Sequence, residues 1–206
     1  MRRDFERAAP HIKALAEFAS DHEISQWQDF GWFLEGWSHW HAGNRVAGIM
    51  EMRRAVSRLA EQSFVLLDGL FKSVLAKAEG EGGEIEAALS TIESAIAVSE
   101  RTGQRTYDSE VLRTRGEILA QQNPADSASA EQSFLAAIAV AQAQKTRSFE
   151  LRAALSLAKL YRPIGRDAEA NAVLGPALEG FSPTREFPEI EEARLFMAAN
   201  DAGARS

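Results

Sequence analysis

Apolar residues recur three and four positions apart along almost the whole chain, and strict apolar–polar alternation never runs to a useful length. In "IEAALSTIESAIAVSERTG", Ile85, Leu89, Ile92 and Ile96 form one stripe, with Glu86, Glu93 and Glu100 off it. Gly103 follows as a C-terminal stop. "DSASAEQSFLAAIAVAQAQ" has an acidic, serine-rich start suited to the positive end of a helix dipole. The pattern predicts helices over 4–20, 24–42, 45–61, 64–79, 84–101, 107–121, 127–144, 148–162, 167–180 and 187–199. The joints between them are short and carry turn residues, such as "AGN" at 42–44, "GEGG" at 80–83 and "PIGR" at 163–166. Short joints force neighbouring helices to pack antiparallel, so the chain reads as an all-α array of about five hairpins.

The hairpins repeat. Small residues fall at Gly36, Ala76, Gly116 and Ala158, where one helix of each pair must approach its neighbour closely. A second series falls at Ala55, Ala95, Ala137 and Ala177 in the following helices. Successive members lie about 40 residues apart, the length of a two-helix repeat. Two series in register are hard to obtain by chance, even in an alanine-rich chain.

In "LRAALSLAKLYRPIGRDAEANAVLGPALEGFSP" the repeat resembles a tetratricopeptide repeat. Leu157, Ala158, Tyr161, Gly165, Ala170, Leu174 and Ala177 occupy the family's apolar and small positions, and Pro183 is one residue off. The repeat beginning near Asp29 matches at Gly36, Gly43 and Ala55, with Gly48 in place of the usual alanine. Residues 64–102 and 107–145 depart further. Residues 105–199 also look like the C-terminal array of large bacterial signalling proteins that join a cyclase or DNA-binding domain to a STAND-type ATPase. The resemblance implies a single domain over 1–206, folded as a right-handed α-α superhelix. The helix at 4–20 looks like the second member of a hairpin whose first member is absent.

The stretch "WQDFGWFLEGWSHWHAG" holds all four tryptophans and two of the four histidines. On a 3.6-residue period Phe30, Phe33, Trp37 and Trp40 share one face, with Trp32 and His39 turned away. Such a face is either packed against protein or lines a groove. The resemblance places Phe30, Phe33, Trp37, Trp40 and His41 on a concave wall, with Arg113, Arg152, Lys159 and Arg162 further along it. That wall would suit a protein or peptide segment, or another domain of a parent chain, carrying apolar and acidic residues. The alternatives are a small apolar ligand held between the rings, or a homodimer made through Trp32 or the first helix.

Composition narrows the classes. Of 206 residues, 45% are hydrophobic and 26% charged, as expected of a globular chain. A net charge of −7 argues against direct nucleic-acid binding, which needs a basic surface. The absence of cysteine removes disulfides and thiolate metal sites. The N-terminus lacks the apolar core of a secretory signal, and no apolar run reaches the ~20 residues of a membrane span. The simplest expectation is a cytoplasmic chain.

Catalytic signatures are weak. "GEGGE" has no lysine and follows a helix, so it reads as a turn rather than a phosphate cradle. "SLAK", Ser156 to Lys159, has serine–lysine spacing without companion motifs. His39 and His41 point ~200° apart on a helix and cannot chelate one metal together. The expectation is a non-catalytic module without metal or cofactor.

Overall fold

A computed structural model of the chain describes residues 5–22, 24–124, 127–182 and 187–203. Pro183, the one-off repeat position, and Asp4, the expected start of the first helix, lie outside them. The described residues form ten α-helices and no strand. They are α1 Phe5–Asp21, α2 Ser25–His41, α3 Arg45–Glu61, α4 Asp68–Glu81, α5 Ile85–Thr102, α6 Asp108–Gln122, α7 Ala128–Gln144, α8 Arg147–Tyr161, α9 Asp167–Leu178 and α10 Pro188–Gly203. No helix among these residues is long and apolar enough to cross a membrane. The helices group into two compact units, Met1–Tyr107 and Asp108–Ser206.

The largest boundary difference is at α4, which starts at Asp68 rather than near residue 64. Ser63 takes a left-handed φ of 56°, Phe64 N–H donates to Leu59 O, and Asp68 N–H donates to Val65 O. These turns use the backbone groups that a helix would need. They also set Phe64 edge-on to Phe30, at 5.7 Å between ring centroids. Gly103 ends α5 with φ +73°, the conformation its position after the last apolar residue predicts.

In the first unit, α2 pairs with α3 and α4 with α5, while α1 packs on α2 and α3 on α4. Its core joins Phe33, Trp37, Trp40, Met52, Leu59 and Phe71. Both small-residue series are buried at all eight positions. The tightest approach is between Gly36 and Gly48: a Cβ added to Gly48 would sit 2.5 Å from Gly36 O and 2.6 Å from Trp40 N. Glycine at both positions is therefore what brings α2 and α3 into contact.

Buried polar residues pin these helices together. Asp29 is fully buried and accepts hydrogen bonds from Arg58 Nε and Gln62 Nε2, each at 2.5 Å. Glu79, 1% exposed, accepts from Arg53 Nε at 2.7 Å and Thr91 Oγ1 at 2.8 Å, joining α3, α4 and α5. Glu84, also bonded to Arg53, raises that guanidinium's pKa; burial opposes the shift and Glu79 adds to it. A buried carboxylate is stable here only because its oxygens have such partners.

In the second unit, α6 pairs with α7 and α8 with α9, α6 touches α8, and α10 covers α8 and α9. Phe134, Leu151, Leu157, Tyr161, Leu174 and Ile190 are core. At the α7–α9 edge Glu131 accepts from the Tyr161 hydroxyl and from Arg166, both at 2.7 Å. The Arg166 hydrogen bond is the main reason the Glu131 carboxyl is held below its ordinary value; burial opposes it and the Tyr161 hydroxyl adds to it. Burial, with Glu131 as acceptor, pushes the Tyr161 phenol up to about 12.

Candidate interaction surface

The aromatic stripe of α2 is a packing face. Phe33 is fully buried and stacks on Phe71 of α4 at 4.1 Å. Trp37 and Trp40 are 6% and 8% exposed, and Phe30 is half-buried, T-shaped to Phe71 at 4.6 Å. His41 is exposed, its ring edge-on to Trp37 and Trp40. The expectation that Phe33, Trp37 and Trp40 line an open wall is thereby corrected. With α1, α3 and α4 all packed on α2, the periodic face is used up inside the unit.

The four basic positions are likewise engaged within the second unit. Arg113 is buried, donating from Nε to Glu110 Oε1 at 2.6 Å and from Nη1 to Glu117 at 2.5 Å. Desolvation works against its charge, but Glu110 and Glu117 outweigh it and raise the Arg113 pKa. Arg152 Nη1 lies 2.8 Å from Glu110 Oε2, an ion pair outside hydrogen-bond geometry. Lys159 pairs with Glu192 on α10 at 2.6 Å. Arg162 donates to Phe196 O at 2.7 Å and stacks over the Phe196 ring at 3.6 Å. These cations hold α8 to α6 and α10, and a partner's carboxylates would have to compete with Glu110, Glu117 and Glu192.

Exposed apolar side chains gather elsewhere. Phe18, Ile24 and Trp27 stand out around the α1–α2 turn, and Leu66 in the α3–α4 turn. A hydrogen bond from Ser25 Oγ to Gln62 Oε1 at 3.3 Å ties the two turns together. Trp27 is 48% exposed and leans on Phe30 at 5.2 Å. Phe30 in turn touches Phe64 and Phe71, so a continuous run of rings leads from the surface into the core. A ring backed in this way loses little freedom on binding, which is what an interface anchor needs.

Sequence reasoning missed this edge. Trp27 lies close to the apolar stripe, and periodicity does not say where a helix emerges from its neighbours. Val46 and Met50 on α3 were also missed, although they stand off the stripe of Ile49, Met52, Ala55 and Leu59 and were legible as outward-facing. An open recess of about 560 Å³ in the second unit is lined by residues including Pro176, Phe181, Arg194 and Met197. Among the described residues no group of three or more His, Cys, Asp or Glu is placed to hold a metal ion.

No family model matches the chain. Over 165 residues, 80% of its length, it is 27% identical to an uncharacterized protein of Rhizobium meliloti (strain 1021). The matched stretch spans 16% of that relative's length.

Proposed function

We propose that this chain is a non-catalytic, tetratricopeptide-like interaction module that belongs functionally with a longer signalling protein. The edge made by Phe18, Ile24, Trp27 and Leu66 docks a segment of a partner or of the parent chain. In this reading the hairpins form a right-handed superhelical array in the cytoplasm, and docking restrains or releases an ATPase or cyclase domain. The observation that carries it is the exposed, ring-backed Trp27 among other exposed apolar side chains, a patch of the kind that marks association surfaces. Two further features support it. The buried carboxylates Asp29, Glu79 and Glu110 are held by structural partners rather than converging in a cleft. The relative is also far longer than the matched stretch.

The test is site-specific photo-cross-linking in native cells. Benzoylphenylalanine in place of Trp27 is expected to give a discrete adduct with one protein, or with another part of the longer chain. The same group in place of exposed Ser90 on α5 should give none. Identical adduct patterns from the two positions would remove the proposal.

A further inference from the structure

The outer face of α3 differs from that of α5, its counterpart one repeat on. Val46 and Met50, one turn apart, are 73% and 63% exposed. Forty residues on, the same outward positions of α5 hold Glu86 and Ser90, both exposed and polar. Charge differs as well. In a chain of net charge −7, α3 carries four arginines and two glutamates, whereas α5 carries three glutamates and one arginine. In an acidic chain, α3 thus combines a net positive charge with an apolar outer stripe.

Three of the six charges on α3 are already paired. Arg53 is held by Glu79 and Glu84, Arg58 by Asp29, and Glu51 by His39 of α2 at 2.7 Å. Arg54, one turn beyond Met50, is exposed and has no carboxylate partner among the described residues. Its guanidinium carbon lies 5.5 Å from the Trp32 ring centre, and that ring also carries Arg58 at 5.0 Å. A guanidinium stacked on an indole keeps its N–H edge free for a carboxylate. Glu35, the nearby acid of α2, sits about 60° round that helix from Trp32 on the side away from Gly36 and α3.

We infer that the strip of Val46, Met50 and Arg54, backed by Trp32, docks an amphipathic helical segment of acidic character. Its apolar side chains lie on Val46 and Met50, and its Asp or Glu meets Arg54. The proposal rests on the interaction-module reading and assigns it a second contact and a partner chemistry. The strip is about 12 Å long at 1.5 Å per residue, so it matches two or three turns of a helix. It is far smaller than the ~800 Å² a side typical of a stable interface between folded protomers. Complementary charge and this small footprint select an acidic helical segment over a second copy of the chain.

The test pans a displayed library of random 14-residue peptides against the whole chain, keeping those that bind wild type but not Met50→Glu. Selected peptides are expected to repeat apolar residues three or four apart, with an Asp or Glu one turn on. Measured by fluorescence anisotropy, their affinity should fall at least about tenfold for Arg54→Glu and be unchanged for Ser90→Glu. A peptide with Lys in place of its acid should regain affinity for Arg54→Glu. Both α3 positions are exposed, so an unchanged circular-dichroism melt checks that the variants are folded. The inference is overturned if no peptide discriminates against Met50→Glu, if the selected peptides lack an acid, or if the charge swap restores nothing. A concentration-dependent dimer that Met50→Glu abolishes would also overturn it, in favour of a second copy. Each of these failures leaves the Trp27 cross-linking result standing or falling on its own.

Discussion

Replacing Gly48 with alanine tests the close approach that organises the first unit. The added methyl would lie 2.5 Å from Gly36 O, 2.6 Å from Trp40 N and 2.8 Å from Trp40 Cβ. Two of these are backbone atoms, so no rotamer change relieves the clash and α2 and α3 must move apart. An ordinary contact needs at least 3.4 Å, so the separation is a little under 1 Å. A gap of that size forfeits a quarter to a half of each atom-pair attraction of about 0.1–0.2 kcal/mol. Over the roughly 50 pairs that one buried side chain makes, the loss is about 3 kcal/mol. Alanine returns about 1 kcal/mol of helix propensity, leaving a net destabilisation of about 2 kcal/mol. All four tryptophans lie in α2, so indole emission followed through urea unfolding reads this unit directly. The midpoint should fall and the native emission move to the red as water reaches Trp40. An unchanged or higher midpoint would refute the reasoning, because propensity alone would then decide the outcome.

Four more outcomes follow from the structure. Arg113→Met leaves Glu110, 3% exposed, without its main partner and should cost about 3–5 kcal/mol in urea unfolding followed by circular dichroism. Glu131, held below its ordinary value by Arg166, contributes stability above pH 4.5 that is lost as pH falls through its folded pKa, and Glu131→Gln should flatten that acid limb. Tyr161, raised to about 12, contributes stability below pH 10 that is lost as pH rises through 12; ultraviolet titration against Tyr161→Phe should place its ionisation there. Acrylamide should quench Trp27, 48% exposed, while sparing Trp37 and Trp40, so Trp27→Phe should remove much of the quenchable emission.

The ten helices were legible because burial on one face writes a 3.6-residue period directly into the chain, and glycine marks the stop after α5. The small-residue series was legible for a related reason. A close helix approach excludes any large side chain at that point, as the Gly36–Gly48 contact shows. The candidate site was not legible to the same degree. Periodicity found the stripe of Phe30, Phe33, Trp37 and Trp40 and could not tell a packed face from an open wall, since both demand the same residues. Arg113, Arg152, Lys159 and Arg162 read as free cations because their partners Glu110, Glu117, Glu192 and Phe196 come from other turns or other helices.

The amino-acid order by itself determined that the chain is helical, about where most of the helices run, which residues line their apolar stripes, and where two helices draw close. Those properties depend on neighbours within a few turns of the same chain. Only the tertiary structure decided that Phe33, Trp37 and Trp40 are sealed while Trp27, Val46 and Met50 stay in water. Exposure depends on which distant helix covers a face, and a face carries no mark of the neighbour that will cover it.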